Sequence, residues 1–489
     1  MVIKRRQFLK QATLGVSASI AAYSTALYIP ARCFGANQRV RVAEVGTGNQ
    51  GNFHLKNYLK LDGVEIAALA DADLNRATAT QKRIQSQNGG TPKVVQDARK
   101  LFDDKSIDMV SVATCDHWHS LMAIWAAQAG KHVYVEKPCS QNLREGRILA
   151  LTAAKYNVMV QHGTQRRHQD IFRLNGAAWA SGKYGKPTAM HAFAHRPRNP
   201  IAWADDCEVP EGVDWNLWTG PAALVPFNPN RFGYNWHHFW NTGTGEIGNN
   251  GVHFFDQARI ALAFLKPGIK HPQNVHFFGT RIVDAPKRQF KDQGETPTVQ
   301  IGSYDFDGIP MVFESCNLKG KDWVPYETLR LHTDQGYIEN GWFYPDNKGE
   351  KVRVEAEYTP PYPGGQFGNL VSAIQNGKPN EINAPIAEGH YSTSVCHLGN
   401  IAYRLGKPAS LSQCRSAMLD HPIMQETLDR VLGNIRNIFS TLNIENEIPW
   451  QLGEKISINN ETEQFDGNDA ANALLSRQAR APFVVPENV

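Results

Sequence analysis

Val40-Arg41-Val42-Ala43-Glu44-Val45-Gly46-Thr47-Gly48-Asn49-Gln50-Gly51 decides the first fold of this chain. A short apolar strand runs straight into glycines spaced G-x-G-x-x-G. A helix-like stretch follows, with Phe53, Leu55, Tyr58 and Leu59 as its apolar members. The strand Val64–Ala70 comes next and ends in Asp71. Each part of this unit has a physical reason. Gly46 permits the tight turn, Gly48 lets the backbone approach a pyrophosphate, and Gly51 lets helix pack on strand. The helix N-terminus offers unpaired N–H groups to phosphates. Asp71, 20 residues past Gly51, suits the two adenosine ribose hydroxyls and repels a 2′-phosphate. The expected cofactor is therefore NAD, in preference to NADP, held by Gly46, Gly48, Asn49, Gln50, Gly51 and Asp71.

The alternation continues outward from that unit. Val94-Val95, Ile107–Ala113, His132–Val135 and Val158–Gln161 read as strands. Leu121–Ala129 and Arg144–Tyr156 read as helices between them. Such alternation makes a parallel sheet covered on both faces, with ligands at the carboxyl ends of its strands. Thr114 and Glu136-Lys137 fall at those ends. We place this Rossmann domain at residues 37–165.

Residues 166–448 have a different rhythm. Thr188–Ala194, Val275–Val283, Val299–Phe306, Ile309–Ser315, Thr328–His332 and Val352–Tyr358 are strand-like, and Asp307-Gly308 is a tight-turn signal. Strands in succession without long helices predict an α+β domain with a large, mostly antiparallel open sheet. Ile247–Leu265, Phe367–Asn376, Ala387–Arg404 and Met424–Phe439 are the expected helices. Residues 449–489 read as a polar C-terminal extension.

Composition removes several other classes. The 489 residues carry 51 Lys+Arg, 47 Asp+Glu and 42% hydrophobic residues, which is ordinary globular usage. Five of the bases (Lys4, Arg5, Arg6, Lys10 and Arg32) lie in residues 1–36, which hold no acid. The basic excess belongs to that leader, so no nucleic-acid partner is expected. Arg5-Arg6 with Phe8-Leu9-Lys10, followed by the apolar run Ala12–Ala31, resembles a twin-arginine export signal. The expected location is periplasmic or otherwise exported, through the twin-arginine machinery, and membrane-anchored where the signal stays uncleaved. Seven cysteines without a Cys-x-x-Cys pair argue against a zinc ribbon or a small disulfide scaffold.

The glycine loop, Thr114-Cys115-Asp116-His117-Trp118-His119, Ala129-Gly130-Lys131-His132-Val133-Tyr134-Val135-Glu136-Lys137-Pro138 and Gly251-Val252-His253-Phe254-Phe255-Asp256 together resemble the Gfo/Idh/MocA oxidoreductases. The resemblance runs from about Arg39 to about Lys407. It implies NAD(P)-dependent oxidation or reduction of sugars and polyols. It also implies that Lys137 lies beside the nicotinamide and the reacting hydroxyl, with Thr114 and Glu136 lining the cofactor and His119 close by. Two positions depart from the family's pattern. Cys115 stands where proline is frequent. Asn249 stands where many polyol dehydrogenases carry aspartate, and an amide cannot relay a proton.

Oxidising an alcohol needs a base for the O–H proton, and His253 has the right ordinary pKa. A histidine at a helix start is otherwise most simply read as bonding backbone; the family pattern around it implies catalysis. Asp256, one turn on, either orients His253 or holds structure. Gln165, Arg166, Tyr234, His237 and Asn249 are the expected substrate contacts. Trp215, Trp218, Tyr234, Trp236, His237, His238 and Trp240 crowd one region, as either a sugar-stacking pocket or a packed aromatic core. His390 and His397 share a helix face and read as packing or interdomain bonds, and no metal is expected. The primary reading is an exported sugar, glycoside or polyol oxidoreductase, self-associating through the second-domain sheet. One alternative is an NAD-dependent glycoside hydrolase or lyase with transient oxidation and no net redox. The other is a non-catalytic sugar sensor.

Overall fold

The computed structural model describes residues 39–489 apart from 89, 285–289, 320–325, 419–421, 440–442, 444–446 and 479. The expected leader, residues 1–36, lies outside the described residues. Among the described residues no helix is long and apolar enough to cross a membrane.

The first sheet contains β1 (Val40–Val45), β2 (Val64–Ala70), β3 (Lys93–Val95), β4 (Met109–Val112), β5 (His132–Val135) and β6 (Val160–His162). Their order is β3-β2-β1-β4-β5-β6 and every pairing is parallel. The chain reverses its direction of travel across the sheet between β1 and β4. That leaves a crevice at the carboxyl ends, flanked by the glycine loop. Apolar side chains cover both faces: Val45, Val110, Val112 and Val133 pack with Leu121 and Leu149, while Val40, Val42 and Tyr134 pack with Leu55, Leu370 and Ile374.

The second sheet has eleven strands: β7 (Pro187–His195), β8 (Asn274–Thr280), β9 (Val299–Phe306), β10 (Ile309–Cys316), β11 (Tyr326–Thr333), β12 (Gly336–Glu339), β13 (Trp342–Pro345), β14 (Val352–Arg353), β15 (Lys407–Ala409), β16 (Trp450–Leu452) and β17 (Ile456–Ser457). All its pairings are antiparallel except β7 with β10. Period-two alternation buries both faces of its middle. Phe277, Tyr304, Phe306 and Phe313 face the helices Val252–Leu265 and Ile386–Arg404. Phe278, Ile301 and Val312 face Leu428, Val431 and Ile435 of the helix Pro422–Ile438.

Three elements differ from the sequence expectation. The strand expected over Val352–Tyr358 is only Val352–Arg353, with one further bond in the same register, Val354 N to Gly341 O, at the edge of the sheet. A hairpin, β12–β13, turns at Asn340 (φ 49°) and Gly341 (φ 82°), the same chemistry that Asp307 (φ 55°) and Gly308 (φ 82°) use between β9 and β10. The helix expected over Ile247–Leu265 begins as one π turn, Ile247–Gly251, before the α-helix Val252–Leu265. Residues 449–489 contribute β16 and β17 to the large sheet, and Phe483 packs on Trp118 with ring centroids 5.4 Å apart.

Candidate active site

The glycine loop is built for close approach. Gly46 has φ +91°, and a Cβ there would sit 2.5 Å from Ala113 O. A Cβ on Gly51 would sit 1.8 Å from Gly46 O. Gly48 differs, since a Cβ there would meet only Arg76 Nη1, at 3.8 Å, so this face of the loop is open. No side chain caps the following helix Asn49–Tyr58, and its first turn carries no acid. Open backbone amides at a positive helix end beside an open glycine are what a pyrophosphate requires. Asp71 Oδ2 accepts from Thr47 N (2.7 Å) and Thr47 Oγ1 (2.9 Å), and Oδ1 from Asp73 N (3.0 Å). The acid at the end of β2 therefore anchors the loop and remains partly exposed beside it. Asn49 and Gln50 are exposed at the loop's tip, and Gln50 Nε2 donates to Glu136 Oε1 at 2.9 Å.

Beneath the loop lies a buried charge network that the sequence reading missed. Glu136 Oε1 is 3.0 Å from His54 Nε2, and its Oε2 accepts from Lys137 N at 3.0 Å. His54 Nδ1 faces Ser111 Oγ (3.0 Å) and Glu44 Oε1 (3.2 Å). Burial alone would raise the Glu136 carboxyl, but the His54 hydrogen bond and charge bring it down to about 2. Burial likewise opposes a charge on His54, yet Glu44 and Glu136 raise it to about 9. Burial pushes Glu44 up to about 7. Glu136 is thus a fixed anion on a cationic imidazole at the end of β5. The available signals were an acid inside an otherwise apolar strand and a histidine on the inner face of the next helix.

Lys137 is half-buried, and its Nζ donates to Asn249 O at 3.0 Å and to Asn249 Oδ1 at 3.5 Å. This contact joins the two domains through the π turn. Asn249 Nδ2 reaches Tyr234 Oη at 3.0 Å and Glu246 Oε1 at 3.1 Å. His253, one α turn past Asn249, is 9% exposed and its Nδ1 has no hydrogen-bond partner. Burial, then the charges of Lys137 and Arg166, hold its pKa well below the usual imidazole range. The imidazole is therefore neutral, with its lone pair open to a proton, while the two cations reduce its basicity. The Arg166 guanidinium lies 4.4 Å from the centroid of Phe254, and burial lowers it to about 10. His237 Nδ1 donates to Tyr234 O at 2.7 Å, its ring stacks 3.5 Å from Trp236, and burial pushes it well below the usual range.

The structure therefore brings Lys137, Asn249, Tyr234 and Glu136 into one connected network, with His253, Arg166 and His237 in the charge field around it. Gln165 is exposed at the start of the 3-10 turn Gln165–His168. His119 is buried, with Nδ1 2.6 Å from Pro138 O and Nε2 3.1 Å from Thr114 O, so it ties the loops after β4 and β5 together. Asp256 accepts from Arg167 Nε and Ser392 Oγ, each at 2.7 Å, and serves structure. The aromatic crowd divides. Trp215 and Trp218 stack at 4.5 Å and form a small core with Phe227 and Phe232. Tyr234 stays 52% exposed beside Asn249. His397 bonds Ser140 Oγ across the domains at 2.9 Å. His390 Nε2 and His271 Nε2 both lie 3.0 Å from Glu463 Oε1. Among the described residues these three have metal-ligand proximity, and hydrogen bonds to Glu463 account for their arrangement.

Two family profiles match this chain. Residues 40–164 match the Gfo/Idh/MocA profile described as "Oxidoreductase family, NAD-binding Rossmann fold", and residues 202–438 match its companion, "Oxidoreductase family, C-terminal alpha/beta domain". A myo-inositol 2-dehydrogenase of Thermotoga maritima is 28% identical over 161 residues, covering 33% of this chain and 47% of that protein. A glycosyl hydrolase family 109 protein of Shewanella pealeana is 30% identical over 196 residues, covering 36% and 42%. The chain thus spans about half the length of the curated relatives it matches. The fold is shared with the WlbA dehydrogenase from Bordetella pertussis, solved in complex with NADH and UDP-GlcNAcA. The TM-score is 0.54 at 15% identity, covering 75% of this chain and 97% of that one.

Proposed function

Because this chain belongs to the Gfo/Idh/MocA oxidoreductase family, we propose that it is an exported NAD-dependent oxidoreductase acting on a sugar, glycoside or polyol. The observation that carries this reading is the Lys137–Asn249 contact. It joins the end of β5, where Glu136 meets the glycine loop's Gln50, to the π turn that leads into the helix carrying His253. NAD would rest on Gly46–Gly51 with its ribose toward Asp71, and bound there it supplies a hydride acceptor. Lys137 holds the substrate oxygen. His253 accepts the hydroxyl proton when an alcohol is oxidised and returns it in the reverse direction. Arg166, Gln165, Tyr234 and His237 are the polar groups available to the other hydroxyls. The test is to assay the purified protein for co-purified NAD(H) and to screen cyclic polyols and hexoses for cofactor reduction. A protein that neither retains nor binds NAD overturns the proposal.

Asp71 decides the choice of cofactor. Asp71→Ala should weaken NAD binding and relax discrimination against NADP in parallel titrations. Loss of the Thr47 anchor adds to the NAD effect, because the loop loses two hydrogen bonds. A wild-type preference for NADP would refute the assignment.

Export rests on Arg5-Arg6 and Phe8-Leu9. Replacing both arginines with lysine should strand folded protein in the cytoplasm, read by fractionation, whereas unchanged export would remove the twin-arginine proposal. Self-association is assigned to the β11–β14 part of the large sheet, since the chain's own helix Pro422–Ile438 covers β8–β10. Asn249, an amide at the contact with Lys137, leaves room for a second reading: glycoside cleavage through transient oxidation, with no net NADH. The similarity to a glycosyl hydrolase family 109 protein supports it. Release of a glycosidic substituent without accumulation of reduced cofactor would select it over the dehydrogenase.

A further inference from the structure

Glu246 lies immediately before the π turn and is 1% exposed. Arg198 grips both its oxygens with one edge of the guanidinium, Nε at 2.9 Å from Oε1 and Nη2 at 3.0 Å from Oε2. His238 Nε2 is 3.7 Å from the same Oε1, and the Arg198 guanidinium also lies 5.3 Å from the Tyr234 ring centroid. A carboxylate so placed only accepts hydrogen bonds. The Asn249 atom 3.1 Å from Glu246 Oε1 must therefore be the amide NH2. The orientation of a side-chain amide is decided by its network, and here one partner decides it. With Nδ2 turned to Glu246, Oδ1 faces Lys137 Nζ.

We infer that Glu246 is a positioning residue that fixes the Asn249 amide and, through it, the direction in which Lys137 presents its free proton. This rests on Lys137 being the group that meets the substrate oxygen, as proposed above. An ammonium has three donors. Asn249 O and Oδ1 take two of them, which leaves one for the substrate. The same amide gives its second N–H to Tyr234 Oη, so the phenol keeps its own proton for a substrate hydroxyl. An acid at position 249 would stand about 3 Å from Glu246, where two carboxylates oppose each other's ionisation. The amide at 249 and the carboxylate at 246 are therefore a matched pair, and their roles are exchangeable only together.

The test reads Lys137 itself and needs no substrate. Acetic anhydride labelling of the full chain, followed residue by residue by mass spectrometry across pH, compares wild type with Glu246→Gln, Asn249→Ala and the exchanged double variant Glu246→Gln/Asn249→Asp. In Glu246→Gln the 249 amide is free to turn its NH2 toward the ammonium, which favours the free amine. Lys137 should label about tenfold faster at about pH 8. Asn249→Ala, which leaves the Glu246–Arg198 pair untouched, should do the same. The double variant should return to within about threefold of wild type. In it the amide now at position 246 donates to the carboxylate now at position 249, and that carboxylate accepts from Lys137. Lys131, buried and bonded to Asp104 O and Ile107 O, reports intact folding in each sample. Wild-type labelling of Lys137 in both single variants, or a double variant no slower than Glu246→Gln, overturns the inference. NAD titration of the wild type runs beside it: absent binding defeats the oxidoreductase proposal and leaves the labelling result to judge Glu246.

Discussion

Lys137→Met is expected to lower turnover by about a hundredfold or more while NAD still binds. The reason is how little of the cofactor cradle Lys137 supports. Its ammonium is directed at Asn249, across the crevice, and only its backbone N–H contacts Glu136. Methionine keeps the stem's length and apolar packing and removes the donors. The loss should therefore appear in kcat more than in NAD affinity, and about a hundredfold corresponds to about 2.7 kcal/mol of transition-state stabilisation. Parallel NAD titration and steady-state kinetics check it. Loss of NAD binding with kcat preserved would make Lys137 a cofactor ligand instead.

His253→Ala should also cost about a hundredfold or more in turnover. The pH dependence separates its role from mere packing. Burial, Lys137 and Arg166 all favour the neutral imidazole, so the proton-accepting form persists as pH falls from about 8 to about 6. A depressed pKa places any acid limb from His253 below the ordinary histidine range. The kcat/KM of the wild type for alcohol oxidation should show no histidine-like fall near about pH 6.5. A limb there that vanishes in His253→Ala would show that the imidazole titrates as an exposed one and would contradict the geometry.

The Rossmann half was legible because local chemistry and tertiary placement agree there. Val40–Val45, Val64–Ala70 and His132–Val135 end where a glycine or an acid stops an apolar run, and the structure ends them at the same residues. In the second domain, Val299–Phe306 was legible for the same reason, bounded by the Asp307-Gly308 turn. The π turn was not legible. Only Ile247 joins the apolar period of the helix after it; Gly248-Asn249-Asn250-Gly251 marks a weak helical stretch but does not specify the extra residue that brings the Asn249 carbonyl to Lys137. The Glu246–Arg198 and Glu136–His54 pairs escaped for another reason. Their members are far apart in sequence: Glu246 alone reads as surface charge, and Glu136, though expected at the cofactor, carries no local sign of its partner His54. The short strands β15, β16 and β17 carry too few residues for any periodicity, and only pairing with β8 and with each other makes them strands.

Proton chemistry by Lys137 and His253, beside a cofactor held by the glycine loop, has one signature that binding data cannot mimic. Rapid mixing of NAD-loaded protein with a polyol or sugar found in the screen reads it, through the absorbance of reduced nicotinamide in a single turnover. We expect a cofactor-reduction phase in the wild type that slows by about a hundredfold in both Lys137→Met and His253→Ala. Equal rates in all three proteins would remove both residues from the chemistry.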